Sequence, residues 1–102
     1  MRFLMTVTFP NNEFNAAVKD GSIGEKIGRI LEKQKPETAY FTEQNGERAG
    51  VMAVQMSNPS EIPSFAEPWF VTFNAKVEFR VAMTPEELQR ADLERLGKQL
   101  AQ

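Results

Sequence analysis

The dipeptide Asn45-Gly46 constrains this chain more than any other feature. Both residues tolerate positive φ, so between two alternating runs they specify a tight type I′ hairpin. Those runs are Glu37–Gln44 and Glu47–Met56. Such a turn also fixes register. Glu43 falls opposite Arg48, Phe41 opposite Gly50, Tyr40 opposite Val51 and Ala39 opposite Met52. Ala39, Phe41, Met52, Val54 and Met56 then share one face. Thr38, Tyr40, Thr42, Val51, Ala53 and Gln55 share the other.

Two further runs alternate in the same way. In Asn74–Met83, Ala75, Val77, Phe79, Val81 and Met83 are apolar, with Asn74, Lys76, Glu78, Arg80 and Ala82 between them. In Arg2–Phe9, Phe3, Met5, Val7 and Phe9 alternate with Arg2, Leu4, Thr6 and Thr8, and Pro10 ends the run. A period of two marks a strand with one face in a core. The expected core is Phe3, Met5, Val7, Phe9, Phe41, Met52, Val54, Val77, Phe79 and Val81, joined by the helical stripes.

The segments between are helical in period. Phe14, Ala17, Val18, Ile27, Ile30 and Leu31 stripe Glu13–Gln34, which Asp20-Gly21 interrupts. Ser22-Ile23-Gly24-Glu25 reads as a capping box, so a short helical turn, a break and a main helix from about Ile23 are expected. Gly21, Gly24 and Gly28 fall on one helical face, where they permit close packing on a sheet or a phosphate at the helix start. No P-loop Lys-Ser/Thr follows them. Asn58-Pro59-Ser60-Glu61 is a second capping box, followed by Ile62, Phe65, Ala66 and Trp69 at helical spacing. Pro68 should kink or end that helix. Thr84-Pro85-Glu86-Glu87 opens one final helix striped by Leu88, Ala91, Leu96 and Leu100.

The order β-α-β-β-α-β-α in a chain of 102 residues describes a single domain, 1–102. The fold class is α+β: a ferredoxin-like βαββαβ motif plus a C-terminal helix. The expected sheet is four-stranded and antiparallel in the order 4-1-3-2, but with strands one and three parallel at its centre. One face packs the first two helices. The other, with Leu4, Thr6, Thr8, Tyr40, Val51, Ala53, Lys76, Glu78 and Arg80, would leave a partly apolar patch open. Pairing of two such sheets in a twofold homodimer would cover it, and so would the third helix folding under the sheet.

Composition narrows the chemistry. The chain has no Cys and no His, which removes thiol chemistry, disulfides, the usual zinc sites and every Ser-His or Cys-His nucleophile. Acid–base work falls to carboxylates, Lys, the single Tyr or a bound cofactor, and the expectation is no cofactor and no metal. A net charge of −2 lacks the basic footprint of a nucleic-acid binder. The RNA-recognition motif shares this strand order but needs stacking aromatics on strand three, and Arg48–Met56 has none. No apolar run is long enough for a membrane span, and Phe3–Phe9 has no cleavage-site pattern. Absence of Cys fits the cytoplasm.

The opening Met-Arg-Phe-Leu-Met-Thr-Val-Thr-Phe-Pro, the Asp20-Gly21-Ser22-Ile23-Gly24 break, Lys35–Phe41, and Ile62-Pro63 with Ala66-Glu67-Pro68-Trp69-Phe70 carry a resemblance over about residues 1–90. The chain resembles the dimeric α/β-barrel superfamily of muconolactone isomerase, antibiotic-biosynthesis monooxygenases and stress-responsive barrel proteins. Within it, it is most similar to a bacterial domain-of-unknown-function family. The resemblance implies a homodimer with its sheets packed together and helices outside. It also implies a ligand cavity that often lies between sheet and helices. The His-dependent chemistry of some members has no counterpart here.

The candidate site residues follow. Tyr40 can exchange a proton with a phenolic or carbonyl ligand, or act as an amphipathic interface residue. Glu67, beside the aromatic Trp69 and Phe70, is the candidate base; its alternative is a solvent-facing carboxylate, with Trp69 in the core. Trp69 is otherwise a pocket wall, and Arg80, Glu78 and Thr6 are candidate ligand contacts. The alternative for Lys76, Glu78 and Arg80 is a charged strand edge that blocks aggregation. The expected function is a small-molecule-binding homodimer, with cofactor-independent isomerase- or monooxygenase-like activity where it is an enzyme. The alternative is a non-catalytic interaction or regulatory module.

Overall fold

Asn45 at φ 54° and Gly46 at φ 83° form the turn that their sequence specifies. The hairpin joins β2 (Thr38–Gln44) to β3 (Glu47–Gln55). Its register sets Glu43 against Arg48, Phe41 against Gly50, Tyr40 against Val51 and Ala39 against Met52, as expected. The structure, a computed structural model, describes all of residues 1–102. Before the hairpin come β1 (Arg2–Phe9), α1 (Asn11–Asp20) and α2 (Ile23–Gln34). After it come a 3-10 turn (Pro59–Glu61), α3 (Ile62–Phe73), β4 (Lys76–Val81), α4 (Pro85–Arg90) and α5 (Leu93–Leu100).

The four strands form one sheet in the order β2-β3-β1-β4, which is 4-1-3-2 read from the other edge. The arrangement is compatible with a ferredoxin-like fold. β1 runs antiparallel to both β3 and β4, which corrects the expectation that strands one and three are parallel. The helical crossover makes β1 and β2 parallel but leaves a gap between them. The hairpin sends β3 back into that gap, antiparallel to each neighbour.

Alternation decides most of what is buried, but Phe41 and Val81, expected in the core, are 49% and 64% exposed because they lie on the two edge strands. Met5, Val7 and Phe9 of β1 are closed to solvent, with Met52 and Val54 of β3 beside them. Ala17 of α1, Ile30 of α2, and Trp69 and Phe73 of α3 cover them. Phe9 is the hub. Its ring centroid lies 5.1 Å from Phe14, 5.2 Å from Phe73 and 5.8 Å from Trp69, each pair edge-on. Edge-on pairs add about 0.5–1.5 kcal/mol each beyond the area they bury. Gly50 permits Phe41 to lie flat on the sheet, because a Cβ there would sit 3.1 Å from the Phe41 ring.

Local signals diverge from expectation at several helix ends. α1 is a full helix of 10 residues, not a single turn, and Gly21 closes it at φ 80°. Ser22 does not cap α2: its backbone is helical and its Oγ is buried without a partner. The Asp20 carboxylate takes the Ser22 N–H at 2.8 Å, while Glu25 pairs with Arg29. The boxes at Asn58 and Thr84 form as expected, both legs in place. Pro68 does not end α3, which continues to Phe73. The final helix is two pieces, because Asp92 enters the left-handed region at φ 52°. β4 is shorter than the alternating run that encodes it.

Candidate functional site

The strand register assembles the open face row by row. Tyr40 pairs with Val51, Val51 with Thr6, and Thr6 with Glu78, so one row crosses all four strands. The next row is Thr38, Ala53, Leu4 and Arg80. The row on the other side is Thr42, Ala49, Thr8 and Lys76. Three strand spacings separate Tyr40 from Glu78, about 14 Å. Leu4 is 40% exposed and Tyr40 70% exposed, values that place apolar surface in solvent at the middle and edge of the face.

This face has an apolar floor, hydroxyl flanks and charged ends. The floor is the exposed Leu4 and the half-buried Val51, with Ala53 buried beneath their level. Lys76, Glu78 and Arg80 line the β4 margin, and none of them is in an ion pair. One end is closed by a polar cluster that sequence reasoning missed. The Arg2 guanidinium donates to both carboxylate oxygens of Glu37, at 2.8 and 2.9 Å. Gln55 donates to the same carboxylate at 3.1 Å, and Glu87 approaches Arg2 at 3.7 Å. The hydrogen bond from Arg2 holds Glu37 below the ordinary carboxylate value, while Glu37 raises Arg2.

The helix side of the sheet is different. Trp69 is fully buried, and its indole N–H donates to Gln34 Oε1 at 3.1 Å. It lines none of the surface clefts. The core is packed by Phe9, Trp69 and Phe73. A cleft of about 340 Å³ reaches Phe9 past Phe14 and Phe41, and an open depression of about 600 Å³ lies at the α4–α5 joint. The cleft between α2 and α3, about 390 Å³, carries Arg29 and Lys33 over Ile30 and Phe65. A smaller apolar one, about 250 Å³, opens between Phe3, Met56 and Ile62. No group of three or more Asp and Glu side chains converges to hold a metal ion.

The structure therefore brings together Tyr40, Thr6, Glu78 and Arg80 on one face. Glu67 and Trp69 belong to α3 on the opposite side of the sheet. Glu67 is exposed, and within one chain it does not share a site with Tyr40. No helix is long and apolar enough to cross a membrane. No family model matches the chain, and no curated protein matches it.

Proposed function

We propose that this protein is a homodimer that encloses a small organic molecule between two copies of the open sheet face, in a ferredoxin-like dimeric barrel. The observation that supports it is the make-up of that face. Its floor is apolar, five hydroxyl-bearing residues (Thr6, Thr8, Thr38, Tyr40 and Thr42) flank the floor, and one margin carries Glu78 and Arg80. An apolar body would rest on Leu4 and Val51. Thr6 and Tyr40 would meet its polar atoms, and Arg80 an anionic end.

Symmetry supplies the chemistry. A twofold axis running along the strands sets each copy's β2 edge against the other's β4 edge. Tyr40 and Glu78 share a row, so this pairing carries Tyr40 of one copy towards Glu78 of the other. A phenol and a carboxylate across a dry gap suit proton transfer on a phenolic or carbonyl compound without a cofactor. Glu67 has no part in this site.

The packed helix-side core favours a second reading, a non-catalytic interaction module whose dimer surface is its purpose. A thermal-shift panel of small phenols, aromatic ketones and organic acids separates the two. Binding predicts that one class raises the melting temperature, and that Tyr40→Phe or Thr6→Val abolishes the rise with mass and circular dichroism unchanged. A dimer that no compound stabilises is the module.

A further inference from the structure

The chain ends in an arm. Its radius of gyration is 17.4 Å, against about 13 Å for a compact domain of this length. The molecule spans 63 Å along its long axis but only 29 and 19 Å across it. α4 and α5 account for the excess. Neither buries a residue, and every position from 85 to 102 is exposed.

An arm of this kind does not hold itself together. α4 has 6 residues and α5 has 8, and isolated helices shorter than about 12–15 residues are marginal in water. α5 nevertheless has the pattern of a packed helix. Leu93, Leu96 and Leu100 recur at i, i+3 and i+7, a single stripe, with charge on the other side at Glu94, Arg95 and Lys98. Leu93 is 59% exposed, Leu96 38% and Leu100 83%, so most of that stripe is open to solvent. The root of the arm is held. The Thr84 capping box forms, and Arg2 at the end of the open face approaches Glu87 at 3.7 Å.

One chain thus carries two unpartnered apolar surfaces that it does not join to each other. We propose that the arm crosses to a second copy, where the leucine stripe packs against the margin of that copy's open sheet face, reciprocally. This deepens the homodimer reading and rests on it. Areas support a second copy as the occupant. Four strands at about 4.8 Å spacing and about 27 Å length give a footprint of about 500 Å². A stable interface takes about 800 Å² from each partner. α5, which carries the stripe, is about 12 Å long and about 10 Å wide and adds about 120 Å², which raises the total to about 620 Å².

Hydrogen exchange of the full chain, read across a dilution series beside sedimentation, tests it. The arm amides 93–100 should exchange at least tenfold more slowly than free coil at concentrations where the dimer forms. That protection should disappear on dilution to the monomer. The Leu93→Ser, Leu96→Ser, Leu100→Ser chain should lose it and show a dimer dissociation constant raised at least tenfold, with the signal of the sheet unchanged. Arm protection that is independent of concentration means that the arm covers its own sheet, and overturns the exchange. Unprotected arm amides in a dimer of full mass also overturn it, and leave the sheet pairing standing. A single-chain mass at every concentration removes both.

Discussion

Gln34 joins α2 to α3 through Trp69. The indole N–H donates to Gln34 Oε1 at 3.1 Å, and Gln34 Nε2 donates to the carbonyl oxygens of Phe65 at 2.9 Å and Ser64 at 3.3 Å. The Ser64 oxygen is the one a residue at 68 would normally engage, and Pro68 has no N–H to offer. Gln34 thus satisfies the acceptor that Pro68 orphans, which accounts for α3 passing through a proline without ending there. Gln34→Leu leaves the partly buried indole N–H unpaired and hands the exposed Ser64 carbonyl to water. The expected loss is about 1–3 kcal/mol. Urea unfolding followed by Trp69 emission, the only tryptophan signal in the chain, measures it.

Phe9 contacts three aromatic rings at once, so its removal should cost more than an average core truncation. Phe9→Ala is expected to destabilise by about 3–5 kcal/mol. Against a total stability of about 5–15 kcal/mol, that is a large fraction. Phe70→Ala, on the exposed side of α3, should change the urea midpoint far less. Equal effects would show that the hub is not at Phe9.

Acid should weaken the fold, and the sign follows from three carboxylates. Arg2 holds Glu37 below its ordinary 4.5. The backbone N–H groups of Asn58 and Ser57 do the same for Glu61. The Thr84 N–H does so for Glu87. A carboxylate lowered in the folded state contributes stability that is complete above its ordinary value and lost as pH falls through the lower folded one. Urea midpoints should therefore be level from pH 7 to about 5 and fall below about 4.5. Glu61→Gln should lower the neutral-pH midpoint and flatten the acid slope. An unchanged slope would mean that the Asn58 cap contributes nothing.

Much of the fold was legible because its signals are local and periodic. The Asn45-Gly46 turn fixed a register that the structure reproduces pair by pair. The capping boxes at Asn58 and Thr84 formed because Pro follows each cap and pre-sets the first turn. The Ser22 box has no such proline, and the Asp20 carboxylate competes for the backbone N–H. Other features needed contacts distant in sequence. Gln34 reaching Ser64, which carries α3 past Pro68, has no local signature. The split at Asp92 depends on a left-handed residue that Asp tolerates but does not announce.

The candidate site was half legible. Thr6, Tyr40, Glu78 and Arg80 share a face because alternation assigns faces before any tertiary contact is known. Glu67 beside aromatic residues looked like a base in a pocket. It lies instead on the outer side of α3, because Ala66, Trp69 and Phe73 take the inward positions. The Arg2–Glu37 pair has no sequence signature, because an ion pair between a strand start and a loop has no spacing of its own.

The central claim is that a second copy covers the open sheet face. Sedimentation equilibrium of the full chain, beside a Val51→Lys variant with its charge at the centre of that face, tests it most directly. The natural sequence should sediment at twice the 11.6 kDa chain mass and the folded variant at a single-chain mass. A natural chain that sediments as 11.6 kDa at every concentration, or a Val51→Lys chain that dimerises equally well, contradicts it.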